Sequence, residues 1–558
     1  MKLSPSAHID TFARESLPPQ DSWPAFEFTL PELQYPDRLN AATALLEDTI
    51  AKHGADRVAL RTPEGDVWTY GELLEQANRI ANLLVEDHEI VPGNRVMLRM
   101  PNNPWTVACW LAVLKVGAVV VTTMTAWKPS EIERIVEKTS PSTIIVDHRF
   151  LEDLIAAIGN KVDTIIFGDG AATSLENAIA NKSDKFDDVQ TAADDVALLG
   201  PTSGTTGMPK VTMHFHRDIL ANADTFGKYL VKMQADDLCA GSPPLAFTFG
   251  LGGLVVFPLR FGAATLLVEK ATPVEFADLT EQFGVTVLYT APTGYRAILK
   301  EGKGEKLRGL RAGVSAGEHL PEETWQGVFD ATGVRLIDGI GSTEMLHVFI
   351  SAEGEDIRPG ATGKAVPGYR ATILDENGNE LGAGEIGRLG VIGPTGCRYL
   401  NDERQANYIS GPWNVTGDTY LMDEDGYFHY QARSDSMIVT SGYNVGAPEV
   451  EGALNQHPDV AESAVVGWPD KERGLVIGAF VVLREGVSPS DELKEQLRSF
   501  VKEKIAYYKC PRRIEFVTEL PRNPSGKLQH FKLRERAAEI AASEDAATGG
   551  ANSKEGKK

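Results

Sequence analysis

The sequence predicts an α/β protein: a large N-terminal domain of parallel α/β sheets that carries a β subdomain, followed by a small α+β C-terminal domain. Three observations predict it. Helical and strand patterns alternate from about residue 41 to 300, and strands separated by helices pair in parallel. Past about 365, short strands stand among Gly and Asp turns. After about 435, a compact run of helix, strand, strand and helix begins afresh. The expected domains are residues 1–434 and 435–540, with a disordered tail of small and polar residues at 541–558.

In chain order, residues 1–40 are rich in Pro and aromatics (Trp23, Phe26, Phe28, Tyr35) and should wrap a surface in extended form. Residues 41–53 are helix-like, and 57–60 and 67–70 read as strands. Residues 71–86 place Leu73, Leu74, Ala77, Ile80 and Leu84 on one face, the spacing of a helix laid on a core. Strands follow at 96–98, 118–122 and 142–146. The apolar stretch from Val107 to Val121 is broken by Lys115 and Gly117. It reads as a buried helix running into a strand, short of the ~18–20 apolar residues of a membrane span. The β subdomain draws on 369–374, 387–392 and 427–430. The C-terminal domain reads as helix 449–456, strands 460–468 and 476–483, and helix 492–505.

A chain of 558 residues is long enough for two or more domains. Its 42% hydrophobic and 24% charged content is ordinary for a globular protein. A net charge of −23 opposes non-specific binding to nucleic acid or anionic membrane, so neither is an expected partner. The four cysteines (Cys109, Cys239, Cys397, Cys510) are widely spaced and form no CxxC pair, which argues against structural zinc and a disulfide framework. The first residues lack the apolar core of a secretory signal, and a reducing cytoplasm is the expected compartment.

Residues 202–210 read Thr-Ser-Gly-Thr-Thr-Gly-Met-Pro-Lys. Thr202, Ser203, Gly204, Thr205, Thr206 and Gly207 give four hydroxyls and two glycines in six positions, with Lys210 close behind. Apolar runs at 196–199 and 211–213 frame the segment as strands. Glycines let a turn expose consecutive N–H groups as an anion-binding nest, hydroxyls add donors, and lysine adds a point charge. The segment is not a Walker A loop, because Pro209 precedes the lysine. The other reading is a flexible Ser/Thr/Gly surface loop.

Four further motifs follow in order: Asp-Gly-Ile-Gly-Ser-Thr-Glu at 338–344, Thr-Gly-Asp at 416–418, a long segment from Gln431 to Glu451, and Pro-Arg-Asn-Pro-Ser-Gly-Lys at 521–527. Each alone is weak. In this order they resemble the adenylate-forming superfamily of acyl- and aryl-CoA synthetases, luciferases and peptide-synthetase adenylation domains, over roughly residues 40–540.

The resemblance implies ATP, Mg²⁺ and coenzyme A as cofactors and assigns roles residue by residue. The 202–210 loop would hold the β- and γ-phosphates. Glu344 would bind Mg²⁺, which seeks hard oxygen ligands, and Thr343 would contact the α-phosphate. Asp418 would accept from both ribose hydroxyls, with Arg433 also reaching the ribose. Adenine would lie between 315–319, including Gly317 and Glu318, and the strand end Asp338, Gly339, Ile340 and Gly341. Ile340 stands where many relatives carry an aromatic residue, so stacking should be weaker. Glu318 and His319 replace the usual small residues, as in the benzoate-type branch.

Lys527 would bridge the carboxylate substrate and the α-phosphate, stabilising charge as one anion attacks another. The C-terminal domain would be mobile, rotating about the hinge Asp435 between two poses; Lys527 serves the first, and the face bearing Gly442 the second. Ser436 replaces a usual second acid at this hinge. The 521–527 segment also resembles a site of lysine acetyltransferases, which would silence adenylation by removing the Lys527 charge. The basic Lys509 and Arg512 would meet CoA phosphates.

The acid is expected to be a small aromatic carboxylate. The segment 243–250 matches the family's pocket motif, with Phe247 as the gate to the thiol tunnel. His347 follows Glu344 as in benzoate-type ligases, where it lies beside the ring. Residues 5–14 and 31–36 look most like 2-aminobenzoate-CoA ligases. Tyr289, Ala291, Pro292, Gly317 and His347 are the expected walls. The favoured acid is 2-aminobenzoate, with salicylate and benzoate next. The competing readings are an enzyme that loads a carrier protein, a luciferase-like oxidase and an inactive nucleotide-binding scaffold. The protein would be a monomer or homodimer.

Overall fold

The computed structural model describes residues 2–202, 209–318, 320–433, 437–440, 443–521 and 530–552. The chain divides into two compact units. The first comprises 1–125, 132–202 and 210–434; the second comprises 126–131, 203–209 and 435–558.

Unit 1 is built on two mainly parallel sheets, as the alternation of helices and strands predicts. One has six strands in the order Asp163–Phe167, Thr143–Asp147, Arg95–Arg99, Val119–Thr122, Val196–Thr202, Lys210–Phe215. Only its last pair is antiparallel. The run Val119–Thr122 is β-branched throughout and fully buried, as a strand covered on both faces must be.

The second sheet has nine strands. Leu336–Gly341, Ala312–Ala316, Val287–Thr290, Leu238–Gly241, Ala264–Leu266 and Val58–Arg61 run parallel in that order. Short antiparallel strands close both edges. A five-stranded antiparallel sheet, centred on Ile386–Ile392 and Trp413–Met422, forms the β subdomain.

Helix starts follow local chemistry. Thr69 Oγ1 accepts from Glu72 N at 3.1 Å while Glu72 Oε2 accepts from Thr69 N at 2.7 Å, capping the helix Tyr70–Glu86. Leu73, Ala77, Ile80 and Leu84 are buried on its inner face. The helix Pro104–Lys115 is buried nearly all round, down to Lys115, whose ammonium meets Glu47 and Asp188. Residues 2–40 run largely extended over this unit. They are tied down by Ser4 N to Asp194 Oδ2 at 3.0 Å and Arg14 Nη1 to Asp194 O at 2.9 Å.

Unit 2 holds a hairpin, Met437–Thr440 with Tyr443–Gly446, and a three-stranded sheet of Val460–Asp470, Gly474–Leu483 and Arg513–Phe516. Its helices include Ala447–Leu454, Asp491–Lys504 and His530–Asn552. The last corrects the expectation of a disordered tail from 541. The alanines at 537, 538, 541, 542, 546 and 547 favour continuing the helix, and it runs on to Asn552. Lys509 is also corrected: it is 5% exposed and ion-paired with Glu449 at 2.8 Å, so its charge is spent internally rather than offered to CoA phosphates.

All four cysteines are buried and free. Burial raises each of their thiol pKa values. No described helix is long and apolar enough to cross a membrane.

Candidate functional site

The hairpin of Val196–Thr202 and Lys210–Phe215 sets Thr202 opposite Lys210. The apolar run at 196–199 extends through Gly200 and Pro201 to Thr202. Gly200 is required there, because a β-carbon would come 3.2 Å from Thr343 Cγ2 and 2.8 Å from Thr212 Oγ1. Ser203, Gly204, Thr205, Thr206 and Gly207 lie outside the described residues, as do His319, Asp435, Ser436, Gly442, Lys527 and the side chain of Arg433.

Lys210 meets Glu344. Its Nζ is 3.4 Å from Glu344 Oε1 and donates to Tyr399 Oη at 2.8 Å, and the Tyr399 hydroxyl donates to the same Glu344 oxygen. Glu344 is 7% exposed. Burial alone would raise its carboxyl pKa, but Lys210 and the Tyr399 hydroxyl hold it below the usual carboxylate range, so it is ionised. Burial and Glu344 together push the Tyr399 phenol well up, so it stays a donor.

The turn 342–346 presents Thr343 and Glu344 by folding back on itself. Met345 N and Leu346 N donate to Ser342 O and Thr343 O, both at 3.2 Å. Leu346 sits at φ 70°, a left-handed conformation costly for a branched side chain. The Ser342 hydroxyl pairs with Tyr408 Oη at 3.0 Å.

The residues expected at the nucleoside come together where two parallel strands finish. Ser315 pairs with Asp338, and Ala316 with Gly339. Gly317 follows at φ 90° and Glu318 is half-buried. Asp338 is half-buried, yet its Oδ1 is sealed from water with no hydrogen-bond partner, and removal from water pushes its carboxyl up to about 7. Ile340 packs as a flat apolar wall. Gly341 allows a close turn, since a β-carbon would fall 2.6 Å from His347 O.

Asp418 is 7% exposed on Trp413–Met422, opposite Arg433 in register. Two buried tyrosines lie within electrostatic reach of these acids. Beyond burial, Tyr408 feels both Glu344 and Asp418, and Tyr420 feels both Asp418 and Asp338.

His347 lies in an aromatic box, its ring 4.7 Å from Phe257, 5.2 Å from Phe226 and 5.8 Å from Phe249. It is 3% exposed, with the Phe249 backbone as its polar neighbour. Burial lowers its pKa to about 3, so the imidazole is neutral. Tyr289 is fully buried with its hydroxyl unpaired, 5.9 Å from the Phe249 ring. Phe247 precedes the short helix Thr248–Leu251, and Ala291 precedes the helix Pro292–Lys300.

Two π-helical stretches, Ala223–Val231 and Gly252–Val256, carry Phe226 and the glycines beneath His347 and Tyr289. Such stretches recur at functional sites. Sequence reasoning missed Phe226, Phe257, Tyr399 and Tyr408. Apolar rings in helical runs read as core, and nothing local links Tyr399 to a loop 55 residues earlier.

The donor set fits a nucleoside triphosphate with its metal. An orphaned buried acceptor at Asp338 suits an amine donor, and Lys210 suits phosphate. One ionised carboxylate beside phosphates is the usual protein share of a Mg²⁺ site, and no group of three potential metal ligands occurs among the described residues.

Fold and site thus fit a nucleotide-handling enzyme. Residues 46–398 match the AMP-binding enzyme family and residues 449–527 the AMP-binding enzyme C-terminal domain. The chain is 36% identical over 524 residues to the benzoate–CoA ligase of Thauera aromatica, covering 91% of this chain and 98% of the relative. It is 32% identical to the 3-hydroxybenzoate–CoA ligase of Aromatoleum sp. (strain CIB), covering 89% and 97%. Among solved structures, it is similar to the anthranilate CoA ligase AuaEII in complex with anthranoyl-AMP, at 35% identity and TM-score 0.71, covering 92% of this chain and all of that one. The chain belongs to the AMP-binding enzyme family, and within it is an AMP-forming acid–CoA ligase. Its cofactors are ATP, Mg²⁺ and CoA, which supply the adenylyl group, charge neutralisation at the phosphates and the acceptor thiol.

Proposed function

We propose that the protein activates an aromatic carboxylate, 2-aminobenzoate by preference, as its acyl-adenylate with release of pyrophosphate, then forms the acyl-CoA thioester with release of AMP. The observation that carries this is the box of Phe226, Phe249 and Phe257 around a buried, neutral His347, with Tyr289 edge-on to Phe249. Aromatic walls suit a ring. A neutral imidazole offers one lone pair to an amino substituent and one N–H to an oxygen. The similarity to an anthranilate ligase solved with its adenylate, and to benzoate-type ligases, supports the same reading.

Within this reading Lys210 and the loop before it grip the triphosphate, Glu344 holds Mg²⁺, Thr343 touches the α-phosphate, and Asp418 and Arg433 take the ribose. Lys527, on a C-terminal domain hinged at Asp435, closes on the substrate carboxylate. Four buried free thiols support action in a reducing cytoplasm. Acetylation of Lys527 by a lysine acetyltransferase would switch off adenylation; full activity of fully acetylated protein overturns that regulation.

A panel of benzoates and alkanoates, assayed for CoA-dependent AMP formation, tests the substrate. We expect kcat/KM for 2-aminobenzoate to exceed that for benzoate about tenfold, within the ~1–3 kcal/mol that one substituent supplies. Equal values for the two overturn the amino preference. Alkanoates outpacing every benzoate tenfold overturn the aromatic class. A holo carrier protein outperforming free CoA overturns the acceptor.

A further inference from the structure

Tyr399 lies at the centre of the phosphate end of the site without being one of its charged members. Its hydroxyl accepts from Lys210 Nζ at 2.8 Å and donates to Glu344 Oε1, while the direct Lys210–Glu344 approach is 3.4 Å. A hydroxyl has one proton and two lone pairs, so it can serve a cation and a carboxylate at once. The ring is also used: Lys210 Nζ stands 4.8 Å from its centroid.

The phenol is fixed in turn. Tyr399 is 1% exposed, and its backbone N donates to Gln405 Oε1 at 2.9 Å. Gln405 Nε2 donates to Cys397 O at 3.1 Å and Ser22 O at 3.0 Å. The Arg398 guanidinium, one residue before, is anchored on Asp218 at 2.8 Å. The hydroxyl therefore sits on a buried ring held by an anchored backbone, whereas Lys210 and Glu344 reach it on longer, unbranched side chains. Both contacts to Glu344 fall on Oε1, so Oε2 can take a cation with neither contact broken. Lys210 keeps donors for a phosphate after giving one to the phenol.

We propose that Tyr399 is a positioning residue for the metal–nucleotide complex: its hydroxyl orients the Glu344 carboxylate for the cation and holds the Lys210 ammonium beside it for the phosphates. This rests on the reading that Glu344 holds Mg²⁺.

The test is equilibrium binding of a non-hydrolysable ATP analogue to the full chain, followed by calorimetry across a Mg²⁺ titration. Tyr399→Phe keeps the ring over Lys210 and removes only the hydroxyl. We expect it to raise the Mg²⁺ concentration for half-maximal binding about tenfold, while affinity for the analogue in EDTA changes less than twofold. A merely structural role would weaken both alike.

Glu344→Gln should itself abolish most of the Mg²⁺ dependence, and Tyr399→Phe added to it should change little, because the two act through one oxygen. If Tyr399→Phe alone folds poorly, Tyr399→His, which keeps a ring and a polar edge, replaces it in the same cycle. If Glu344→Gln leaves the Mg²⁺ titration unmoved, the metal reading of Glu344 fails. If Glu344→Gln moves it and Tyr399→Phe does not, or their effects multiply independently, the role of Tyr399 is overturned and the metal reading stands.

Discussion

Gly252 lies flat against the imidazole of His347: a β-carbon added to Gly252 would sit 2.7 Å from His347 Nε2, closer than atoms can pack. Its φ of −62° is open to any residue, so alanine there meets a steric obstacle and no backbone one. Gly252→Ala should push the imidazole into the space proposed for the acid's ring. Steady-state kinetics should show kcat/KM for the aryl acid falling ten- to hundredfold, with KM for ATP changed less than threefold.

His214, His216 and His347 are each held neutral by burial, with pKa values of about 3 against 6.5 in an open chain. As pH falls through 6.5 the unfolded chain takes up these protons first. The stability they contribute is therefore complete above about 6.5 and is lost as pH falls toward 3. At pH 5 the loss is about 2 kcal/mol for each histidine. Melting temperatures measured from pH 7.5 to 5 should fall, and His347→Phe, which cannot take a proton, should make that fall shallower.

Asp338 has the opposite sign. Its carboxyl is raised to about 7, so the folded state favours the protonated acid and loses stability as pH rises from about 4 to 7. If its oxygen accepts from the adenine amino group, binding favours the ionised form, the stronger acceptor. Affinity for ATP should then rise between pH 6 and 8, and Asp338→Asn should flatten that rise. An unchanged pH profile in Asp338→Asn removes Asp338 from nucleotide binding.

Arg398 and Asp218 face each other at 2.8 Å with no exposure of either side chain, the guanidinium 3.9 Å from the Phe215 ring. Burial lowers the Arg398 pKa to about 10, which leaves it charged at neutral pH. Arg398→Met strands a buried carboxylate and should cost roughly 3–5 kcal/mol in urea denaturation. Adding Asp218→Leu should restore most of it; no recovery means that Arg398 acts through its stacking rather than its charge.

Lys527→Ala should suppress adenylation at least a hundredfold more than thioester formation from supplied acyl-adenylate. Equal losses in the two half-reactions, measured separately, would count against a role confined to one of them.

The two parallel sheets were legible because buried parallel strands are short β-branched runs, and the β subdomain because its strands stand among Gly and Asp turns. Val119–Thr122 could hardly read otherwise. The ends of the ATP motifs were legible because glycine, hydroxyl and acid cluster locally. What stayed hidden depends on tertiary approach. The π-helical turns that set Phe226 and Gly252 beside His347 are not separated from α-helix by helical periodicity. The disordered tail was misjudged because its polar composition masked an alanine-rich run. Lys509 was misjudged because a lysine's sequence neighbours do not reveal Glu449.

The four cysteines have a chemical consequence. A ligase that binds CoA works in the presence of a reactive thiol, and thiol exchange requires an accessible thiolate of low pKa. Here Cys109, Cys239, Cys397 and Cys510 are enclosed and each is harder to deprotonate than a free thiol. The folded protein is thereby kept from forming mixed disulfides with its own substrate. Any thiol label it takes up reports unfolding, at Cys510 for one unit and at the other three for the other.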